Sequence, residues 1–249
     1  GIEKFSKLKA KVEAFGPNLI SVGEDEVSDV RISHTKVLNN AITSKILDLE
    51  QNLWNIRLKT AGKHYMKNAA ALLALVFSLK LNPSKAILAL ESWSPLAGRG
   101  QVLEIEVKHS DYKTAIYLID ESYNANPGSV KSSLETLASI YSSQKSKCEY
   151  SRRIAVLGDM LELGFSEVQE HVNISRFARL DKIDKIYCVG SRMRKLYDVL
   201  PSIKRGFWTE TAKEMQHVLV KKLKDGDIVM IKGSFSMGMN TIVNKLKNT

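Results

Sequence analysis

Residues 119–129, IDESYNANPGS, crowd two acids, two asparagines, a tyrosine and two serines into one stretch at the end of the apolar run AIYLID. Amide side chains both donate and accept hydrogen bonds while carboxylates accept, so such a stretch can grip a polar ligand. Asn126-Pro127-Gly128 reads as a tight turn, with Ser129 capping the helix that follows. A plain polar turn with a cap is the competing reading. The number of amide and carboxylate groups at the carboxyl end of a strand favours a binding loop. A second stretch, GDMLELG at 158–164, offers Asp159 and Glu162, which could bind a cation, orient an amine or cap the next turn. His171 beyond it reads as a structural hydrogen-bonder. A third stretch, KGSFSMG at 232–238, leads lysine, glycine and serine into a helix, where backbone N–H groups favour phosphate or carboxylate. A helix-start turn without ligand fits that local sequence as well. The phosphate-loop pattern G-x-x-x-x-G-K-[ST] is absent from the whole chain. Arg99, between Gly98 and Gly100, can project freely and clamp a phosphate, or simply be a solvated linker arginine.

The elements that must position these residues follow from periodicity. From Gln101 onward, strand patterns at 102–107, 115–120, 153–158, 185–190, 206–209 and 227–233 alternate with helical ones at 129–141, 167–180, 193–200, 211–223 and 238–246. The first two strands are joined by a short link and are expected to be antiparallel. The rest is β-α-β-α, which predicts a doubly wound α/β domain with a parallel sheet covered on both faces. Ligands in such sheets bind at the carboxyl ends of the strands, where the three polar stretches fall.

Upstream, residues 66–79 read as a helix apolar on most faces and therefore buried. Asn82-Pro83 caps a second helix, and 94–101, SPLAGRGQ, marks a hinge or boundary. Residues 1–60 are weakly patterned, with a basic amphipathic segment at 5–15, short runs LISVG and TSKILDL, and strand-like stretches at 27–32 and 52–58. They show no visible start to a core.

Composition excludes several classes. The longest apolar run, 69–79, is too short to span a bilayer, and no basic-then-apolar signal opens the chain. Cys148 and Cys188 form no metal or disulfide pattern and read as reduced thiols in a cytosolic protein. The net charge is +10, but lysines outnumber arginines 27 to 10 and are spread along the chain. That distribution reads as surface bias first and attraction of anionic small molecules second, with no nucleic-acid signature. The chain opens at Gly1, which predicts a processed protein or a piece of a longer one.

Taken in order, GKHYMKNAAALLAL (62–75), PLAGRG (95–100), IDESYNANPGSV (119–130), RIAVLGDMLELG (153–164) and DIVMIKGSFSMGM (227–239) resemble the Mur ligases of peptidoglycan synthesis. The resemblance covers essentially the whole chain. It implies that residues 1–94 are the end of a central α/β ATP-binding domain and 95–249 a C-terminal Rossmann-like domain. The implied activity is ATP- and Mg²⁺-dependent amide ligation: a peptide carboxylate becomes an acyl phosphate, which an incoming amine attacks while water is kept out. The DESYNANP and GDMLELG segments point within the family to UDP-N-acetylmuramoyl-tripeptide and D-alanyl-D-alanine as substrates. The protein is expected to be a cytoplasmic monomer without membrane or nucleic-acid partners. Carried over by position, Asn68 contacts the adenine, Arg99 the nucleotide and Glu121 the ribose hydroxyls. Tyr123, Asn124 and Asn126 approach the substrates, as do Lys232 and Ser234.

The chain departs from the family pattern at Tyr65, where an asparagine is usual, and at Glu121, usually aspartate. Phe235 replaces a common arginine and Asn240 a common glutamate. The family's phosphate loop, carbamylated lysine and metal ligands belong upstream of Gly1, so no catalytic or metal residue is assigned here and the isolated chain is expected to be inactive. Rival readings are a non-catalytic nucleotide- or peptide-binding module and a folylpolyglutamate-type ligase of the same architecture.

Overall fold

The computed structural model describes residues 10–12, 19–38, 41–109, 112–140 and 151–249. Cys148 and most of the amphipathic segment at 5–15 lie outside them. The chain divides into two compact units. One comprises Gly1–Lys36, Thr43–Leu58 and His64–Trp93, the other Val37–Ile42, Lys59–Lys63 and Ser94–Thr249.

The weakly patterned start is a four-stranded sheet in the order β1 (Val22–Gly23), β2 (Val30–Val37), β3 (Ile42–Leu47), β4 (Leu53–Leu58). Its core rests on few residues, Val30, Ile32, Ile46, Ile56 and Leu58, spaced by polar ones, which is why the sequence shows no obvious beginning to it. Helix α1 (Lys63–Ser78) buries a single stripe, Met66, Ala69, Ala70, Leu73 and Ala74. Leu72, Leu75 and Leu79 face outward, so the expectation of burial on most faces is corrected: the apolar run carries more contact surface than the described residues cover. Trp54 of β4 stacks on Phe77 at 6.2 Å. In α2 (Pro83–Ser92) the Asn82 side chain accepts from the Lys85 N–H at 3.3 Å, with Pro83 in the first turn, as the sequence predicts.

The second unit is a six-stranded sheet built from β5 (Gln101–Lys108), β6 (Lys113–Glu121), β7 (Arg153–Gly158), β8 (Lys185–Val189), β9 (Arg205–Thr209) and β10 (Ile228–Lys232). Its order is β5-β6-β10-β7-β8-β9. Only the β5–β6 pair is antiparallel, from Gln101↔Asp120 to Lys108↔Lys113; the other pairings are parallel. Helices α3 (Pro127–Ser139) and α5 (Ser191–Val199) pack one face through Val130, Leu134, Leu137, Met193 and Leu196. Helices α6 (Ala212–Val220) and α7 (Asn240–Lys247) pack the other through Met215, Leu219, Ile242 and Leu246. Alternate strand residues serve opposite faces, Ile154 and Val156 one, Ala155 and Leu157 the other, as a doubly wound sheet requires.

The helix expected over 167–180 is shorter. Helix α4 covers Glu167–Asn173 and the chain then tightens into 3-10 turns at Ile174–Arg176 and Leu180–Lys182. Asn173, Ile174 and Ser175 are indifferent helix formers, and the Ser175 hydroxyl bonds the Val172 carbonyl instead of leaving the backbone ladder undisturbed.

Candidate active-site loops

The last strand, β10, inserts between β6 and β7, placing Lys232 beside both Glu121 and Leu157. This crossover brings the loops that follow β6, β7 and β10 together at one edge. These are the three stretches singled out by their chemistry, and the strand order that unites them is not written in any of them. The loops approach closely because glycine ends β7, as Gly158, and directly follows β10, as Gly233. A Cβ on Gly233 would lie 2.6 Å from the Met239 side chain and 3.0 Å from the Gly158 Cα.

Below the surface the loops are fastened by polar groups. Lys232 is 3% exposed, and its ammonium lies 3.3 Å from Glu121 Oε2 while donating to the Asn124 carbonyl at 3.0 Å. Burial pulls the Lys232 ammonium below the ordinary lysine range, and the Glu121 carboxylate works against that shift. The Ser234 hydroxyl accepts the Leu161 N–H at 2.8 Å and reaches the Ala125 carbonyl at 3.5 Å, while its own N–H donates to the Asp159 carbonyl at 3.0 Å. One serine thus ties all three loops. Replacing it with alanine strands the Leu161 N–H, and an unfolding free energy lower by about 1–3 kcal/mol is expected in urea denaturation. A change within about 0.5 kcal/mol, the range of neutral surface substitutions, would show that water satisfies that N–H.

Two acids missed as structural anchors complete the frame. Asp120, buried at the end of β6, accepts from the Gly98 N–H at 3.0 Å and from the Ser122 N–H and hydroxyl. The Gly98–Arg99–Gly100 turn is thereby pinned to the strand end. Glycine is required at position 98, where φ is +77° and a Cβ would lie only 3.1 Å from Tyr123. Asp159 caps a helix, though not the one that follows it. Its oxygens accept from Arg192 N and Met193 N at 3.2 and 2.7 Å, at the start of α5, whose own cap residue is Gly190. The sequence signal available for both was an acid directly after an apolar strand. His171 is fully buried, taking the Met160 N–H on Nε2 and facing the Glu167 carbonyl through Nδ1 at 2.6 Å, the structural role expected of it.

At the surface, the Arg99 guanidinium lies 3.8 Å over the Tyr123 ring, and the Phe235 ring stands 5.7 Å from the same ring. Asn124 and Asn126 are exposed beside them. Asn126, and not Ser129, is the N-cap of α3: its Oδ1 accepts the Ser129 N–H at 2.8 Å and Ser129 Oγ returns the bond. Ser129 is therefore the third helical residue of a capping box, because Pro127 is pre-set for the first. Among the expected site residues, Glu121, Tyr123, Asn124, Asn126, Lys232 and Ser234 converge here, with Arg99 stacked on Tyr123. Glu121, Lys232 and Ser234 lie beneath the surface as braces. Asn68 belongs to the other unit, on an exposed face of α1.

Residues 105–235 match the family model described as Mur ligase, glutamate ligase domain. The chain is 30% identical over 197 residues to the UDP-N-acetylmuramoyl-tripeptide–D-alanyl-D-alanine ligase of Treponema pallidum, covering 78% of this chain and 39% of that protein. The ligase of the same name from Escherichia coli is 27% identical over 239 residues, covering 95% and 47% respectively. The chain thus spans less than half the length of these relatives. A crystal structure of MurF ligase from Thermotoga maritima in complex with ADP superimposes with a TM-score of 0.78 at 20% identity, covering 98% of this chain and 51% of that one. At that identity the superposition speaks for the fold.

Proposed function

The chain belongs to the Mur ligase family, and on that premise we propose that it is the carboxyl-terminal portion of an ATP-dependent ligase joining D-alanyl-D-alanine to UDP-N-acetylmuramoyl-tripeptide. Residues 1–94 are then the end of the ATP-binding domain and 95–249 the domain that presents the incoming amine. The observation that carries this reading is the convergence of the DESYNANP, GDMLELG and KGSF loops at the carboxyl edge of one parallel sheet. Relatives of the same name support the choice of substrates.

In this reading ATP supplies the activating phosphoryl group, and this chain's residues bind and orient. Asn68 and Arg99 contact the nucleotide, Arg99 held in place by its stack on Tyr123. Tyr123 and Asn124 face the substrates, while Asn126, Glu121, Lys232 and Ser234 fix the loop that carries them. Among the described residues no group of three or more acids, histidines or cysteines could hold a metal ion. No helix among the described residues is long and apolar enough to cross a membrane; the cytoplasm is the proposed location.

Phosphate release from ATP tests the reading. The protein as the cell makes it is expected to release phosphate only when both UDP-N-acetylmuramoyl-tripeptide and D-alanyl-D-alanine are present, and the 249-residue chain alone to release none. Release indifferent to the dipeptide would sink the assignment.

A further inference from the structure

Glu162 occupies the left-handed region at φ +64°, a conformation that disfavours a residue with a side chain. Strained residues persist where their surroundings over-determine them, and here they do. The three residues before it are each fastened. The Asp159 N–H donates to the Val189 carbonyl at 3.1 Å and its carboxylate caps α5. The Met160 N–H is held by His171 and the Leu161 N–H by Ser234. Glu162 is the first residue of the loop to point into solvent, and among the described residues its carboxylate makes no hydrogen bond or ion pair.

It faces a cleft of about 410 Å³ lined by Asn124, Asn126, Leu161, Leu163, Phe235 and Ser236, within the size range of small-molecule sites. On a chain of net charge +10 this lining carries a single charge, and it is negative. The nearest lysine of the adjoining loop, Lys232, is buried and committed to Glu121. Phe235, 72% exposed, and the two leucines add apolar surface, and the two asparagines add amide groups. A carboxylate meets no cation in this lining, only the neutral amide and hydroxyl donors of its asparagines and serines, and it would also meet the repulsion of Glu162. An ammonium on a short aliphatic peptide meets Glu162 as a counter-ion.

We propose that Glu162 is the counter-ion for the ammonium of a short aliphatic peptide held in this cleft, and so determines which end of the incoming dipeptide enters it. The proposal rests on the ligase reading and adds to it a residue and an orientation. Leu161, Leu163 and Phe235 take the methyl groups, and the asparagines meet the peptide amide.

Two probes separate the ends: D-alanyl-D-alanine amide, which has the amine and no carboxylate, and N-acetyl-D-alanyl-D-alanine, which has the reverse. Each is titrated into the isotope-labelled 249-residue chain and followed by backbone amide shifts. The amide probe is expected to move residues 161–163 and 234–236 and to bind at least about tenfold more tightly than the acetylated one, the scale of one charge-assisted hydrogen bond. Glu162→Gln should weaken the amide probe by a similar factor with an unchanged melting temperature, and Glu162→Asp should restore part of it. Equal binding of the two probes, shifts confined to other loops, no binding of either probe, or an indifferent Glu162→Gln would each overturn the proposal. None of these outcomes decides the ligase reading, which stands or falls on dipeptide-dependent phosphate release.

Discussion

Replacing Lys232 with methionine is expected to lower the unfolding free energy by about 3–5 kcal/mol, the cost of leaving one member of a buried ion pair uncompensated. Lys232 is 3% exposed and Glu121 9%, so water cannot readily replace the lost partner. The Asn124 carbonyl loses its donor at the same time. Adding Glu121→Gln to Lys232→Met should recover much of the loss, because it removes the stranded charge. If the double variant is as unstable as the single one, the lysine stem's packing, and not the ion pair, holds the loop. The pH dependence has a definite sign. The native pKa of Lys232 lies below its ordinary value of 10.5. Between those two values the unfolded chain binds more protons than the folded one, and stability from this group rises with pH. Below the native value both states are protonated and the burial penalty is fully present. The wild-type chain should therefore gain stability relative to Lys232→Met as pH approaches 10.5, read as a widening gap between their urea midpoints. A constant difference across that range would contradict the lowered native value.

Gly190→Ala is expected to cost about 3 kcal/mol, the sum of a backbone and a capping penalty. Gly190 has φ +103°, and a Cβ there would sit 2.5 Å from the Asp159 carboxylate carbon and 2.6 Å from each oxygen. Neither side can yield cheaply. Asp159 holds the first N–H groups of α5, while the Gly190 N–H donates to the Thr209 carbonyl and its carbonyl accepts from Trp208 Nε1 at 2.8 Å. Gly190 sits at φ +103° and ψ 164°, a region held almost only by glycine, so a side chain there costs about 1–3 kcal/mol, and displacing the cap about 0.5–2 kcal/mol more. Gly164 is the control, with φ +58° but nothing within 4 Å of a Cβ, so Gly164→Ala should cost only the conformational part, about 1–2 kcal/mol. Equal effects of the two alanines in denaturation would show that the Asp159 contact gives way.

The parallel sheet was legible because each of its inner strands is a short apolar run bounded by polar turns. The place of β10 between β6 and β7 was not, since strand order depends on contacts between residues far apart in the chain and leaves no local signature. The polar loops were legible as loops, but their division of labour was not. Lys232 looks like a ligand-facing residue in one dimension and is buried against Glu121 in three, while Ser234 both ties the loops together and lines the cleft beside them. Asp159 reads as a group that could bind a cation, orient an amine or cap the turn beside it, and its carboxylate caps α5, well downstream. In α1 the apolar run announced a helix correctly and its burial incorrectly, because periodicity reports which faces are apolar and not which of them meet a partner.

The most direct test of the ligase reading offers the protein as the cell makes it ATP, UDP-N-acetylmuramoyl-tripeptide and an equimolar mixture of D-alanyl-D-alanine and glutamate, and weighs the product by mass spectrometry. The predicted result is the tripeptide extended by the dipeptide alone, with the product lost when ATP is withheld. Extension by glutamate, or no extended product at all, would contradict it.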